Sequence, residues 1–320
     1  MLKKGAILFL FVWGLLALVS SPCVAALPSV QDYQRIVVLG DPHYPTRPQN
    51  TDAALSLELV EAKQNAVDEI NSWDDVALVV VVGDIVAAQG TEEEYAEARG
   101  FIERIKKPVA VIPGNHDLIY RDEPNVKGKL QRAAAKEREM KVERFKTAYG
   151  LEEVYYSKKV GDYLLLFLAP DRADSKYLCE ISEEQLAWLK KTLAENAALP
   201  TLIFFHAPLA GTLADYNKEV NTVNFIAQPK AKLDAIIESN PQIVAWVSGH
   251  THTPASNPSF AAPLNLYQNR VWNIHNADLD RKTIWTNSLY LYPEQVVVKT
   301  YNHKTGQFID ADQRIIKAKP

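Results

Sequence analysis

Cysteine is almost absent from this chain: Cys23 and Cys179 are the two among 320 residues. Long apolar runs are scarce as well. The longest, from about Ala6 to Val19, falls short of the ~20 residues that a membrane span needs. It follows Lys3 and Lys4 and precedes the small residues Val24-Ala25-Ala26, the three-part pattern of a secretory signal peptide. Residues 1–26 are therefore expected to be a signal peptide and residues 27–320 one domain, secreted or periplasmic. If the segment were retained it would be an N-terminal membrane anchor. A lipoprotein signal wants a Leu-like residue three positions before its cysteine, and Ser20 stands there. Cleavage would leave Cys179 alone, which excludes an internal disulfide and reads as a small buried residue. Positive charge is also lacking. Removal of two lysines and no acids takes the net charge from −4 to −6, which argues against a nucleic-acid partner held by phosphate neutralisation. No internal repeat, low-complexity tract or linker divides the chain.

What is present is an alternation of short apolar runs and helical patterns. "RIVVLG" (35–40), "VALVVVVG" (76–83) and "PVAVIPG" (108–114) read as buried strands, apolar throughout as parallel-sheet strands are. Between them, residues 53–72 carry Leu55, Leu59, Ala62, Ala66, Val67 and Ile70 at helical spacing, and a second helix opens at the N-cap candidate Thr91. Strand, helix, strand, helix, strand is the signature of an α/β layered sheet. Residues 118–149 break the rhythm: nine Lys or Arg against five acids between Leu118 and Lys146 predict a charged helical segment, either a lid over a site or a solvated surface helix. "VYYSKKV" and "YLLLFLAP" read as paired strands. A helix is predicted over 182–195, with Ser182 as N-cap and Gln185 completing a capping box. "PTLIFFH" (200–206) and "QIVAWVSGH" (242–250) are two further strands. The alternating tail from Val271, including "TIWTNSLYLY" and "QVVVKTYN", is expected to close a second sheet.

Polar residues collect where these strands end. Asp41 and His43 follow the first, Asp84 the second, Asn115, His116 and Asp117 the third, His206 the fourth, and His250 and His252 the fifth. Five of the seven histidines stand directly after strands; His275 and His303 do not. Carboxyl ends of strands in an α/β sheet share one edge, where ligands bind, so these donors would converge. Pro113-Gly114-Asn115 could still be an ordinary turn. Asp and His without cysteine suit divalent Mn, Fe or Zn in a non-thiolate site. So many donors exceed the needs of one ion but match two, which can clamp both oxygens of an in-line displacement. Two dications less the two carboxylates leave a net positive site for an anionic phosphate.

The ordered set Asp-x-His, Gly-Asp, Gly-Asn-His-Asp, a lone His and Gly-His-x-His, over roughly 35–255, resembles the calcineurin-like metallophosphoesterases. The resemblance implies a four-layered α/β/β/α sandwich of two mixed sheets flanked by helices. It assigns Asp41, His43 and His252 to a first metal, Asp84 to a bridge, and Asn115, His206 and His250 to a second. His116 would serve the leaving oxygen with Asp117 orienting its imidazole, while a metal-bridging hydroxide attacks phosphorus. Asn115 and His116 would also touch substrate. Ala87 stands where the purple branch has a tyrosine ligand, and His43 is the ligand type of the non-purple branch. "FFHAPL" and "EEQLAWLKKTL" are similar to the cyclic-nucleotide phosphodiesterase-like subgroup.

The expected activity is hydrolysis of a small-molecule or macromolecular phosphoester, with a diester favoured over a monoester. A catalytically silent metal-binding scaffold of the same fold is the alternative outside enzymes. A structural zinc site is disfavoured because such sites prefer cysteine. Tyr44 and Arg47, directly after the first donor pair, are candidate substrate contacts or plain loop residues. "NIHNADLDR" (273–281) holds His275, Asn276 and Asp278, and His275 reads as a satisfied histidine.

Overall fold

The computed structural model describes residues 32–318; the expected signal peptide, with Cys23, lies outside them. Three parallel strands, β1 (Gln34–Leu39), β2 (Val76–Val82) and β3 (Val109–Ile112), form half of one sheet. Helices α1 (Ala53–Asn71) and α2 (Glu92–Glu103) connect them. Their N-caps follow from sequence, since Asp52 and Thr91 each accept a hydrogen bond from a backbone N–H of the first turn. The second sheet is built on β5 (Tyr163–Phe167), β6 (Thr201–Phe204), β7 (Ile243–Ser248) and β9 (Val271–His275), all parallel to one another. Antiparallel strands β4 (Tyr156–Val160) and β8 (Leu266–Tyr267) edge it. Helices α5 (Glu183–Glu195) and α6 (Lys230–Ser239) supply its crossovers.

The strand pattern explains the layering. Side chains alternate across a strand, so Ile36, Val38, Val80 and Val82 face Leu165, Phe167, Leu202 and Phe204 between the sheets. Val37, Leu39, Val79 and Val81 point outward to Val67, Ile70, Phe101 and Ile102 of the helices. On the far side Leu186, Leu189, Leu193, Leu233 and Ile237 join the same outer core. Each such aliphatic is buried and stabilises by roughly 1.5–3 kcal/mol. The result is the expected α/β/β/α sandwich of two mixed sheets.

Three sequence expectations need correction. The tail strands β10 (Trp285–Leu291), β11 (Gln295–Asn302) and β12 (Gln307–Lys317) extend the first sheet through β1, with Ile36 opposite Leu289; only β9 and β8 lie in the second. Alternation specifies a buried face but not which sheet edge a strand joins. Gln185 does not complete a capping box: its N–H reaches Ser182, but its side chain is spent on both backbone groups of Ala169, at 2.9 Å each. The charged stretch 118–149 follows the single turn α3 (Asn115–Leu118) and is helical only in its second half, in α4 (Ala135–Tyr149). Helix α4 is anchored rather than solvated, with Phe145 fully buried and Lys141 donating to the Gln89 carbonyl at 2.7 Å. Among the described residues no helix is long and apolar enough to cross a membrane.

Candidate metal centre

Each donor sits two to four residues beyond a strand end, and the backbone there is unusual. Asp41, His43, Asp84, His250 and His252 all adopt positive φ, between 41° and 66°. L-residues seldom occupy that region, at a cost of order 1–3 kcal/mol each, and such strain collects at functional sites. Neighbouring glycines make the approach possible. A Cβ at Gly249 would fall on the Asp41 carboxylate, and one at Gly114 on that of Asp84.

The sheet ends tie each carboxylate in place. Asp41 accepts the His250 N–H at 2.9 Å, and Asp84 accepts the His116 N–H at 2.7 Å. The second Asp84 oxygen lies 3.2 Å from His206 Nε2 and 3.8 Å from His43 Nε2, between two groups of donors. Asp41, His43, Asp84 and His252 each place a ligand atom within 4.8 Å of the others. His43 and His252 bring their Nε2 atoms to 3.1 Å. On the far side of Asp84, His206 Nε2 is 3.2 Å from Asn115 Oδ1, and the His206 and His250 rings are 4.8 Å apart. Asn115 Nδ2 donates to the Tyr120 hydroxyl at 3.4 Å, which leaves the amide oxygen for the cluster.

Electrostatics agree with cation binding. Burial drives His43 and His250 down, His250 to about 3, so both rings are neutral as ligands must be. Burial would raise the Asp84 carboxyl, but His206, His116 and His43 hold it well below the usual range. Burial lowers His206, yet Asp84 and Asp41 carry it up to about 9, so this ring must release a proton when it binds metal. Buried carboxylates and imidazoles crowded this closely, all oxygen and nitrogen donors, fit divalent metal.

Asp117 does not orient the His116 imidazole, contrary to expectation. Its carboxylate accepts the N–H groups of Gly114, Ile85 and Val86 at 2.7–3.2 Å, clamping the turn after β3 to the turn after β2. His116 is oriented by its Nδ1 donating to the Ala88 carbonyl at 2.6 Å. Tyr44 stacks its ring on Phe101 at 4.7 Å, against α2, and is not among the residues that line the cavity. Arg47 does reach the site, with NH1 2.9 Å from His252 Nδ1, but Asp280 and Asp278 hold it at 2.8 and 3.2 Å. His275 stands apart from the cluster, buried against the Thr212 carbonyl at 3.1 Å.

Sequence reading missed Asp280, Lys63 and Tyr120. Lys63 had a signal, a lysine on the apolar stripe of α1 between Leu59 and Val67; it is fully buried and bridges to Asp280 at 2.7 Å. A cavity of about 560 Å³ opens beside the cluster, lined by His116, His252, Arg47, Ala87, Tyr120 and Glu219 among others.

Fold and site together define a class: two-sheet α/β metallophosphoesterases that gather Asp, Asn and His donors at one sheet edge for metal-dependent phosphoester hydrolysis. The chain belongs to the calcineurin-like phosphoesterase family, whose model matches residues 34–254. It is similar to a probable glycerophosphodiester phosphodiesterase of Arcobacter nitrofigilis, 25% identical over 61% of this chain and 64% of that protein, just under two thirds of its length. It is also similar to a probable cyclic nucleotide phosphodiesterase of Rhodopseudomonas palustris, 26% identical over 72% of this chain and 76% of that one. In fold it matches a crystal structure of a Danio rerio dimetal phosphatase with a TM-score of 0.56 and 14% identity, over 89% of this chain and 98% of that chain.

Proposed function

We propose that the protein is an exported two-metal phosphodiesterase. The observation that carries the reading is the position of Asp84, between a cluster of Asp41, His43 and His252 on one side and Asn115, His206 and His250 on the other. Asp41, His43 and His252 would hold the first ion, Asp84 both, and Asn115, His206 and His250 the second. When bound, two divalent ions lower the pKa of water, so that hydroxide is available near neutral pH, and polarise the phosphoryl oxygens.

The chain's own groups do the rest. His116 lines the cavity with Nδ1 committed to Ala88, so Nε2 faces the substrate. With Nδ1 donating, Nε2 delivers a proton to the leaving oxygen when the ring is cationic. Asp117 keeps the His116 turn in register with Asp84. Lining charge supports a diester: Arg47 is the Lys or Arg of the cavity wall and is already matched by Asp278 and Asp280, while Glu219 adds a negative charge. A monoester dianion would find no uncommitted Lys or Arg among the described lining residues. The names of the two relatives, both phosphodiesterases, point the same way.

The test is hydrolysis of bis(p-nitrophenyl) phosphate against p-nitrophenyl phosphate by mature protein reconstituted with Mn, with a chelated control. Chelator-sensitive preference for the diester is expected. Preference for the monoester would make the protein a phosphomonoesterase, and no turnover with metal bound would make it a scaffold. Export rests on the Lys3-Lys4, apolar, Val24-Ala25-Ala26 pattern; the exported protein should begin at Leu27 by N-terminal sequencing.

A further inference from the structure

Cys179 is the free cysteine of the described residues, buried in the outer core as expected, and it borders the metal donors. It lies between β5 and α5, fully buried, with its carbonyl accepting the Gln228 N–H at 2.9 Å. Its Sγ and one nitrogen each of His206 and His250 all lie within 4.8 Å of one another. The other nitrogens of those rings are committed: His206 Nδ1 donates to the Val82 carbonyl at 2.8 Å, and His250 Nε2 to the Asn224 carbonyl at 2.9 Å. A neutral imidazole has one donor and one acceptor nitrogen. In the neutral form that binds metal, both rings therefore turn a lone pair inward, His206 through Nε2 and His250 through Nδ1. That Nδ1 has no hydrogen-bond partner among the described residues, although His250 is only 4% exposed.

We infer that Cys179 is a further ligand of the second metal position, joining Asp84, Asn115, His206 and His250 in a set of two nitrogens, two oxygens and one sulfur. The inference rests on the two-metal reading above. The thiol proton passes to solvent as metal binds. Two consequences follow from chemistry. A sulfur donor selects Zn over Mn, whereas Asp41, His43, Asp84 and His252 offer only oxygen and nitrogen, so the two positions differ in preference. The thiolate also adds a third negative charge to those of Asp41 and Asp84, which reduces the surplus of two dications to +1. Such a site suits a monoanionic diester better than a dianionic monoester.

Mature protein, beginning at Leu27 and so without Cys23, stripped of metal and reloaded with cobalt(II) provides the test. Wild type should show an intense near-ultraviolet thiolate-to-cobalt absorption that Cys179→Ser lacks. In competition loading, the Zn-over-Mn preference of the variant should fall roughly ten- to a hundredfold, the scale on which even outer ligand partners act. X-ray absorption on zinc-loaded wild type needs no variant and should show sulfur at about 2.3 Å. Absence of both sulfur signals with two ions bound would overturn Cys179 as a ligand and leave the two-metal reading standing. Fewer than two ions at saturation would overturn the two-metal reading, with the sulfur signal still deciding Cys179.

Discussion

The two sheets contribute unlike chemistry to one site. The first, through the ends of β1, β2 and β3, brings both carboxylates of the metal cluster, Asp41 and Asp84, with His43, Asn115 and His116. The second, through β6 and β7, brings imidazoles, His206, His250 and His252. Carboxylates are thus confined to one sheet, and imidazoles bound as neutral ligands leave a cationic surplus for phosphate, which the Cys179 thiolate proposed above would reduce by one charge. The sheets are also joined through the site itself, since the His250 N–H binds Asp41 and His206 Nδ1 binds the Val82 carbonyl. A metal centre placed there is both the reaction centre and a clasp between layers.

This division can be broken one sheet at a time. Asp84→Asn, on the first sheet, removes the charge that faces both donor groups; turnover should fall by more than about a hundredfold, since even outer-shell partners cost 10–100-fold. Metal analysis should find both ions depleted; retention of two would refute the bridging position. His116→Ala should keep both ions and lower kcat by roughly 10²-fold or more, the scale of a lost general acid. Loss of metal in this variant would sink its role at the leaving group. His206→Ala, on the second sheet, should lower the bound metal from two ions to one, with the first position still filled. If both ions leave, the two sheets do not divide the centre as described.

The smallest effect concerns the charged support behind the first position. Lys63 is fully buried, and burial pulls its ammonium from 10.5 down to about 8 although Asp280 opposes this. The folded state therefore holds this proton less tightly than the unfolded one. Below pH 8 both states are charged and the folded one carries the cost. Between pH 8 and 10.5 only the unfolded chain stays protonated, so stability recovers as pH rises. The unfolding free energy of wild type minus that of Lys63→Met should rise across this window, by about 3 kcal/mol at most. A flat or falling difference would mean that Asp280 outweighs burial at Lys63.

Much of the site is legible in the amino-acid sequence because it is written at strand ends. An apolar β-branched run that stops at a Gly followed by Asp, Asn or His marks both the sheet edge and the donor. Asp41, Asp84, Asn115, His206, His250 and His252 stand out by their place at strand ends and do converge. The partners of those donors are not legible. The family resemblance pairs His116 with Asp117, whereas His116 binds Ala88 and Asp117 binds the turn after β2. Arg47 looks free in sequence but is matched by Asp278 and Asp280, more than 230 residues away.

Residue order alone dictates the layered α/β class, the core strands and the identity of the donors, because periodicity and residue type are local properties. Long-range packing is what sets β10–β12 on the first sheet, lays Tyr44 on Phe101, and brings Cys179 beside His206 and His250. Those outcomes depend on which sheet edge is open, which cavity a ring can fill and which loops meet. These are contacts between distant parts of the chain, and no window of sequence contains both partners.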